Sequence, residues 1–420
     1  MESSLILGGF DPPTFIRSMS RILLSFLCLL VAAPAAFAQP TVSAVRIGAH
    51  PDKTRFVMEM SERPRYRVFT LPDPFRVVID LPEFQWAPGQ GAPGQVGPGV
   101  RGGLISAMRF GLFAPGTSRV VLDVSAPVRV KRVFLITPKA GYPYRFVVDM
   151  VPVSREDFFA AARGGAVVSD PPLAPTQSAL AAPPKPKTDE RPTIVIDPGH
   201  GGIDPGARSI TGVDEKKIAL IYARELKRQL EASGHYRVQL TREKDIFIRL
   251  RDRIGIAERM EGDLLISLHA NNHDSPKIRG VSIYSLSEKA SDAEAEALAA
   301  KENKADIIAG IDLSDQTEMV SKILIDLAQR ETMNLSKQFA NTLVGEVGKV
   351  TKLLGNTHRS AGFAVLKSAT VPSVLIELGY LSNRAEERLL RSRKHRIRVT
   401  GAIIKAIEAY FARQDTLNRS

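Results

Sequence analysis

Thr193-Ile194-Val195-Ile196-Asp197-Pro198-Gly199-His200-Gly201-Gly202 is the stretch whose reading decides the fold. A short β-branched apolar run ends in a glycine-rich turn carrying a histidine, which reads as a buried parallel strand opening into a ligand loop. The same arrangement recurs twice: Leu264 to Leu268 runs into His269, and Ser373 to Ile376 runs into Glu377. Glu215 opens the helix after the first strand. Ligands of open α/β sheets gather outside the carboxyl ends of the strands, so these distant residues are expected to converge. Two neutral imidazoles and one carboxylate form a usual catalytic zinc set with the fourth tetrahedral position left for water. The second glutamate then remains free to act as a base.

The glycines at 199, 201, 202 and 206 let the chain turn sharply and pass close to a ligand. A phosphate loop is the other reading of such glycines, but the Gly-Lys-Ser/Thr ending and the dinucleotide spacing are missing. Spacing alone leaves the carboxylate ligand open between Asp214 and Glu215, since either also suits the first turn of a helix. Glu377, following Val374-Leu375-Ile376, is expected to be partly buried, which is costly unless it is paired or employed. His50, His235 and His395 are expected at the surface, and His273 and His358 as ordinary loop residues, the other reading being that either touches substrate.

Around this core the chain alternates strand and helix. Helix 215–233 ends at Gly234, strand 236–240 follows, then helix 250–259 and strands 264–268 and 281–285. A helical region from about 291 to 350, strands at 364–366 and 373–376 and a closing helix 395–411 complete the pattern. The expected fold class is α/β, a mostly parallel sheet with helices on both faces, preceded by a small all-β sandwich.

The sandwich is expected over 41–152, where short strands are punctuated by Pro and Gly and the sequence repeats. Val42 to Gly48 matches Ile105 to Gly111, Thr54 to Ser61 matches Ser118 to Ser125, and Arg76 to Pro82 matches Arg145 to Pro152. Two copies of one β unit make a sandwich natural, with Ala87 to Gly103 as the inter-repeat loop. Arg46 and Arg109 fall at equivalent places, as do Asp80 and Asp149. They are expected to be solvent-facing residues of alternating strands, the other reading being a duplicated edge that binds a polymer.

The remaining segments divide the 420 residues further. Residues 1–38 read as a secretory signal peptide: Arg17 and Arg21 precede the apolar stretch Ile22 to Ala33, and Ala36-Phe37-Ala38 is a small-x-small cleavage site. Residues 153–190, with a short helix at 158–163 and then many prolines, read as a semi-extended linker. The catalytic domain is expected over 191–415, with an inserted helical segment at about 287–332. Hydrophobic residues make up 44% of the chain, enough for each domain to bury a core.

The only cysteine, Cys28, lies in the signal stretch, so the exported chain has no thiolate nucleophile, disulfide or Cys-ligated zinc. Net charge is +12, and more than half of that excess lies between Thr41 and Pro152. In an exported protein this favours an anionic envelope polymer or membrane surface over nucleic acid, for which no recognition signature is present. No run beyond the signal approaches transmembrane length, so no integral membrane segment is expected in the exported chain.

Taken together, Asp197-Pro198-Gly199-His200-Gly201-Gly202, Glu215, Thr241-Arg242, Ser267-Leu268-His269-Ala270-Asn271 and Ile376-Glu377-Leu378-Gly379-Tyr380-Leu381-Ser382-Asn383 resemble the zinc-dependent N-acetylmuramoyl-L-alanine amidases. The resemblance covers Pro192 to about Arg413. It implies Zn2+ held by His200, Glu215 and His269, with Glu377 as the catalytic glutamate. It also implies hydrolysis of the amide between N-acetylmuramic acid and L-alanine of the peptidoglycan stem peptide, in cell separation. The repeated β unit resembles the AMIN domain of periplasmic division amidases, a peptidoglycan-binding module, and this implies a periplasmic location. Division amidases of this type carry an inserted helix that blocks the zinc cleft until a LytM-type activator is engaged. On that basis Glu302, or alternatively Glu296, is expected to reach the open zinc position from a helix opened by the capping box Ser291-Asp292-Ala293-Glu294, the other reading being that both are solvated charges on an exposed helix face. Two competing readings are a non-catalytic peptidoglycan-binding scaffold and a zinc peptidase acting within the stem peptide.

Overall fold

The computed structural model describes residues 39–86, 102–139, 141–163, 166–168, 189, 191–311 and 322–419. The expected signal peptide, most of the inter-repeat loop, most of the linker and residues 312–321 of the inserted segment lie outside the described residues.

The first part forms two five-stranded sheets. Its strands are β1 (Thr41–His50), β2 (Lys53–Met60), β3 (Arg67–Leu71), β4 (Arg76–Pro82), β5 (Gln85–Trp86), β6 (Ile105–Ala114), β7 (Thr117–Val124), β8 (Val128–Ile136) and β9 (Tyr144–Pro152), with α1 (Arg155–Arg163) and β10 (Val167–Val168) following. One sheet runs β5-β1-β2-β9-β8 and the other β10-β3-β4-β7-β6. Each sheet therefore takes one hairpin from each repeat, so the two copies interlock rather than stand side by side. Alternate residues such as Phe56, Met58, Val77, Ile79, Phe110, Val120, Phe146 and Val148 fill the space between the sheets.

The repeat also conserves ion pairs, and this corrects the expectation of solvent-facing charges. Asp80 and Asp149 are buried, and each accepts two bonds from an arginine directly across the strand pair, Arg119 at 2.6 and 2.8 Å and Arg55 at 2.6 and 2.7 Å. Arg46 pairs with Glu59 and Arg109 with Asp123, again at equivalent positions; Arg46 is exposed whereas Arg109 is largely covered. Alternation predicts which face a residue takes, but a polar residue on the outer face is buried when another part of the chain lies over it.

The second part is built on a six-stranded sheet, order β12-β11-β13-β16-β14-β15. Its elements are β11 (Thr193–Pro198), α2 (Glu215–Ser233), β12 (Arg237–Leu240), α3 (Leu250–Arg259), β13 (Leu264–Asn271), β14 (Val281–Leu286), α4 (Ala293–Glu302), α5 (Ala305–Ile308), α6 (Lys322–Val347), β15 (Leu353–Ala361), β16 (Ser373–Tyr380), α7 (Arg384–Arg391) and α8 (Arg393–Arg419). All neighbouring pairs are parallel except β14 with β16. Ile194, Ile196, Leu264, Ile266, Val374 and Ile376 face a core shared with α2, α6 and α8. Val195 and Leu265 point the other way, onto Ala257 of α3 and Val371. Near-continuous apolar strands are thus explained by burial on both faces.

Three local expectations change. Ala364–Leu366 is a single 3-10 turn rather than a strand, since Val365 and Leu366 pack with Phe363 into one apolar cluster. The strand is instead Leu353–Ala361, an edge strand whose polar Gly-Asn-Thr-His sequence hides it. The closing helix expected over 395–411 is present as part of Arg393–Arg419, with a further short helix, Arg384–Arg391, before it; His395, expected at the surface, is 4% exposed. His50 and His235 are exposed as expected.

Candidate metal centre

The loop after β11 places His200 with its backbone in the left-handed region, φ 58°, a conformation that costs energy for a residue with a Cβ. Two glycines make room for the rings. A Cβ at Gly199 would lie 2.4 Å from His269 Cε1, and one at Gly206 would lie 2.5 Å from His200 Cδ2 and 2.7 Å from Glu215 Oε2. Asp204 Oδ2 stands 2.8 Å from His200 Nδ1. That bond holds the ring so that Nε2 faces inward, the usual way a carboxylate orients a ligating histidine.

His200 and His269 come from the ends of neighbouring parallel strands β11 and β13, and Glu377 sits directly across from His269 on β16. Glu215, at the start of α2, is anchored by Ala207 N–H at 2.7 Å and Ala270 N–H at 2.9 Å. Its Oε1 lies 3.1 Å from His200 Nε2 and 3.0 Å from His269 Nδ1. Asp214 faces away, toward Lys217 at 3.8 Å and Arg208 at 3.9 Å. Geometry therefore puts Glu215, and not Asp214, with the two imidazoles.

A third carboxylate enters from the inserted segment. Glu302, the last residue of α4, is buried, with Oε2 3.2 Å from His200 Nε2 and 3.4 Å from His269 Nδ1. Glu296 is exposed on the far side of the helix. The helix start also differs from expectation by one residue: Asp292 is the N-cap and accepts from Ala295 N–H at 2.9 Å, while Glu294 pairs with Arg359 at 2.5 Å. Asn303 fixes the helix end, donating to Gly362 C=O at 2.9 Å and accepting from Ala364 N–H at 2.7 Å.

The electrostatics suit a cation. His200 Nε2 is buried without a hydrogen-bond partner among the described residues, and so are both oxygens of Glu377. His200 is held protonated well above the ordinary histidine range: burial opposes the charge, and Asp204, Glu215 and Glu302 outweigh it. Burial, then Glu215 and Glu302, push the Glu377 carboxyl well above the usual carboxylate range. Buried unpaired donors and clustered carboxylates are costly as they stand, and one divalent cation would satisfy them together. The donor set of two imidazole nitrogens and carboxylate oxygens, His200, His269 and Glu302 lying within 4.8 Å of one another, fits zinc.

The fold and this site agree with comparison to known proteins. Residues 194–409 match the N-acetylmuramoyl-L-alanine amidase family, and residues 44–139 match the AMIN domain. The chain belongs to the N-acetylmuramoyl-L-alanine amidases. It is 33% identical over 380 residues to N-acetylmuramoyl-L-alanine amidase AmiC of Neisseria meningitidis serogroup B, covering 88% of this chain and 90% of that one. It is 33% identical over 397 residues to AmiC of Escherichia coli O6:H1, covering 90% and 91% of the two chains. AmiA of Escherichia coli K12 is 37% identical over 240 residues, 57% of this chain and 83% of that one.

Beneath the imidazoles of this amidase lies a support that sequence reading missed. Asp197 is fully buried and accepts from Arg253 Nη1 at 2.7 Å, Thr241 Oγ1 at 2.6 Å and Ser267 Oγ at 2.7 Å. Arg253 also donates to His200 C=O at 2.7 Å, and Arg242 to Gly199 C=O at 2.8 Å, so two guanidiniums hold the loop backbone. Asp197, Thr241, Arg242 and Ser267 stand among the motif residues of the sequence, but nothing in their spacing joins them into one network. His273 accepts from Ser275 N–H at 2.9 Å, and His358 sits between Ser285 Oγ and Asn341 Oδ1, both at 3.0 Å; neither joins the site. No described helix is long and apolar enough to cross a membrane.

Proposed function

We propose that this amidase is a zinc-dependent peptidoglycan hydrolase of the periplasm, exported by its amino-terminal signal and kept inactive at rest by its own inserted helix. It cleaves the amide between N-acetylmuramic acid and L-alanine of the stem peptide, and its role is in cell separation. The observation that carries the reading is the convergence of Glu215 and Glu302 on His200 Nε2, at 3.1 and 3.2 Å, beside an unpaired buried Glu377.

His200, Glu215 and His269 would hold the metal. Zinc, when bound, supplies Lewis-acid polarisation of the amide carbonyl and activation of water. Glu377, with no hydrogen-bond partner among the described residues, is the group free to accept a proton from the attacking water and return it to the leaving alanine nitrogen. Burial by β14 and β16 raises its proton affinity, which suits a group that must carry a proton and then release it.

Catalytic zinc sites keep one position open, whereas sites closed by protein donors are structural. With a metal held by His200, Glu215 and His269, Glu302 would be placed to add a fourth protein donor, and substrate would be excluded until α4 withdraws. The reading therefore includes a partner that draws the helix out, a LytM-type activator by resemblance. The repeated β domain serves as the peptidoglycan-binding module, and 153–190 as the linker.

Fragments released from purified peptidoglycan, identified by mass spectrometry with and without chelator, test the reading. Stem peptides beginning with L-alanine should be released by the Glu302→Ala protein, vanish on chelation and return with zinc. Release that persists in chelator overturns zinc dependence, and cleavage within the stem peptide overturns the bond assignment.

A further inference from the structure

The sheet β10-β3-β4-β7-β6 of the AMIN domain turns one face away from its own core, and that face carries Arg76, Arg109 and Arg119. These guanidiniums reach the carbonyls at the carboxyl end of α5. Arg76 Nη1 donates to Ile307 C=O, Arg109 Nε to Ile308 C=O at 3.3 Å, and Arg119 Nη1 to Ala309 C=O at 3.2 Å and Gly310 C=O at 2.9 Å. Carbonyls at the end of a helical turn have spare acceptor capacity that charged donors can satisfy, although Ile307 C=O also accepts from Gly310 N–H at 3.0 Å within the turn. Each arginine is itself held: Arg119 by Asp80, Arg109 by Asp123, and Arg76 by the carbonyls of Pro72 and Pro74, both at 3.0 Å.

Apolar contacts run beside the polar ones. Ala309 and Ile311 are buried against Leu71, Val78 and Val121 of the sandwich, together with Ile203 and Phe247 of the catalytic domain. Gly310, at φ 69°, lies so close that a Cβ there would stand 3.1 Å from side-chain carbons of both Val78 and Val121. Glu302 is only three residues before α5, and Asp306 ties the same turn to the catalytic domain by accepting from Leu250 N–H at 3.0 Å.

We propose that the outer face of the AMIN sheet is a docking site for residues 305–311 of the inserted segment, and that this intramolecular clamp holds Glu302 in the metal centre. The AMIN domain is then an inhibitory element as well as a wall-binding module, with Arg76, Arg109 and Arg119 as positioning residues. The functional half of the inference rests on the reading that Glu302 blocks the site; the docking half does not. Release of α4 must break the arginine contacts, so whatever engages this face competes with inhibition.

Two variants of the full exported chain test it, one on each side of the contact. Arg109→Ala removes a donor and leaves Asp123 within reach of water; Ile311→Asp breaks the apolar contact without touching the sandwich. Both should keep the wild-type far-ultraviolet circular dichroism spectrum, which shows that they fold. The amides of Ile308, Ala309, Gly310 and Ile311 are each hydrogen-bonded within the turn, so hydrogen exchange reads the opening of that turn, which packing against the sandwich restrains. Exchange there should speed up in both variants; basal stem-peptide release should rise about fivefold in Arg109→Ala, the population shift from losing one net hydrogen bond, and at least as much in Ile311→Asp, which loses a buried apolar contact. Unchanged exchange overturns the docking. Faster exchange with a wild-type basal rate, when Glu302→Ala does raise that rate, overturns the inhibitory role alone. Glu302→Ala without effect overturns the blocking reading while leaving docking to be judged by exchange.

Discussion

Glu302 Oε2 stands 3.2 Å from His200 Nε2, so a residue of the inserted segment faces a histidine at the end of the first strand of the catalytic sheet. The contact is buried, and the same carboxylate oxygen lies 3.4 Å from His269 Nδ1, so one residue of the insert faces both imidazoles. An isolated carboxylate at this depth would be costly, and it persists because two imidazoles face it.

Glu302→Ala is expected to raise activity without an activator. Losing one buried charge-assisted contact shifts the closed state by roughly ten- to a hundredfold in population. Release of stem peptides from purified peptidoglycan measures it, and a wild-type basal rate would remove Glu302 from regulation.

Glu377→Gln keeps shape and volume but cannot carry a proton. In the Glu302→Ala background it should lower the rate by about 10²–10⁴ while zinc content, read by mass spectrometry of the metal, stays at the parent level. Retained turnover would take Glu377 out of the proton path.

Zinc should raise the melting temperature of the wild-type protein, since a ligand that binds only the folded state stabilises it by an amount that grows with the logarithm of its free concentration. His200→Ala and His269→Ala should each lose most of that rise. A shift preserved in both would place the metal elsewhere.

Asp197→Asn should destabilise the catalytic domain by about 3–5 kcal/mol at neutral pH, the cost of breaking one side of a buried ion pair. Burial opposes the charge of Asp197, yet Arg253, Thr241 and Ser267 hold its carboxyl below the ordinary Asp value. With the folded value depressed, this stability is present above the ordinary pKa of about 3.9 and lost as pH falls through the folded value. Denaturant unfolding of the two proteins should therefore converge below about pH 4; a constant difference would rule out linkage through Asp197.

The strands carrying His200, His269 and Glu377 were legible because each is buried on both faces, which forces an unbroken apolar run and makes the polar residue ending it conspicuous. The edge strand Leu353–Ala361 was not legible, since half-solvated pairing makes no such demand on composition. The repeat in the sandwich was visible as sequence, but the cross-strand pairs Asp80–Arg119 and Asp149–Arg55 were not, because pairing register joins residues from different copies. Spacing did not choose Glu215 over Asp214, as adjacent residues at a helix start differ only in the direction they point; the resemblance favoured Glu215, and the coordinates put its Oε1 beside both imidazoles.

By itself the sequence determined the α/β catalytic sheet, the β-rich repeat before it and the residues at the strand ends, because burial periodicity and turn chemistry are local and are written residue by residue. The tertiary structure alone decided that Glu302 rather than Glu296 enters the site, that Asp197 supports the loop from below, and that three arginines of the sandwich grip the end of α5. Those facts depend on how far-apart segments approach each other in space, and no local pattern encodes that distance.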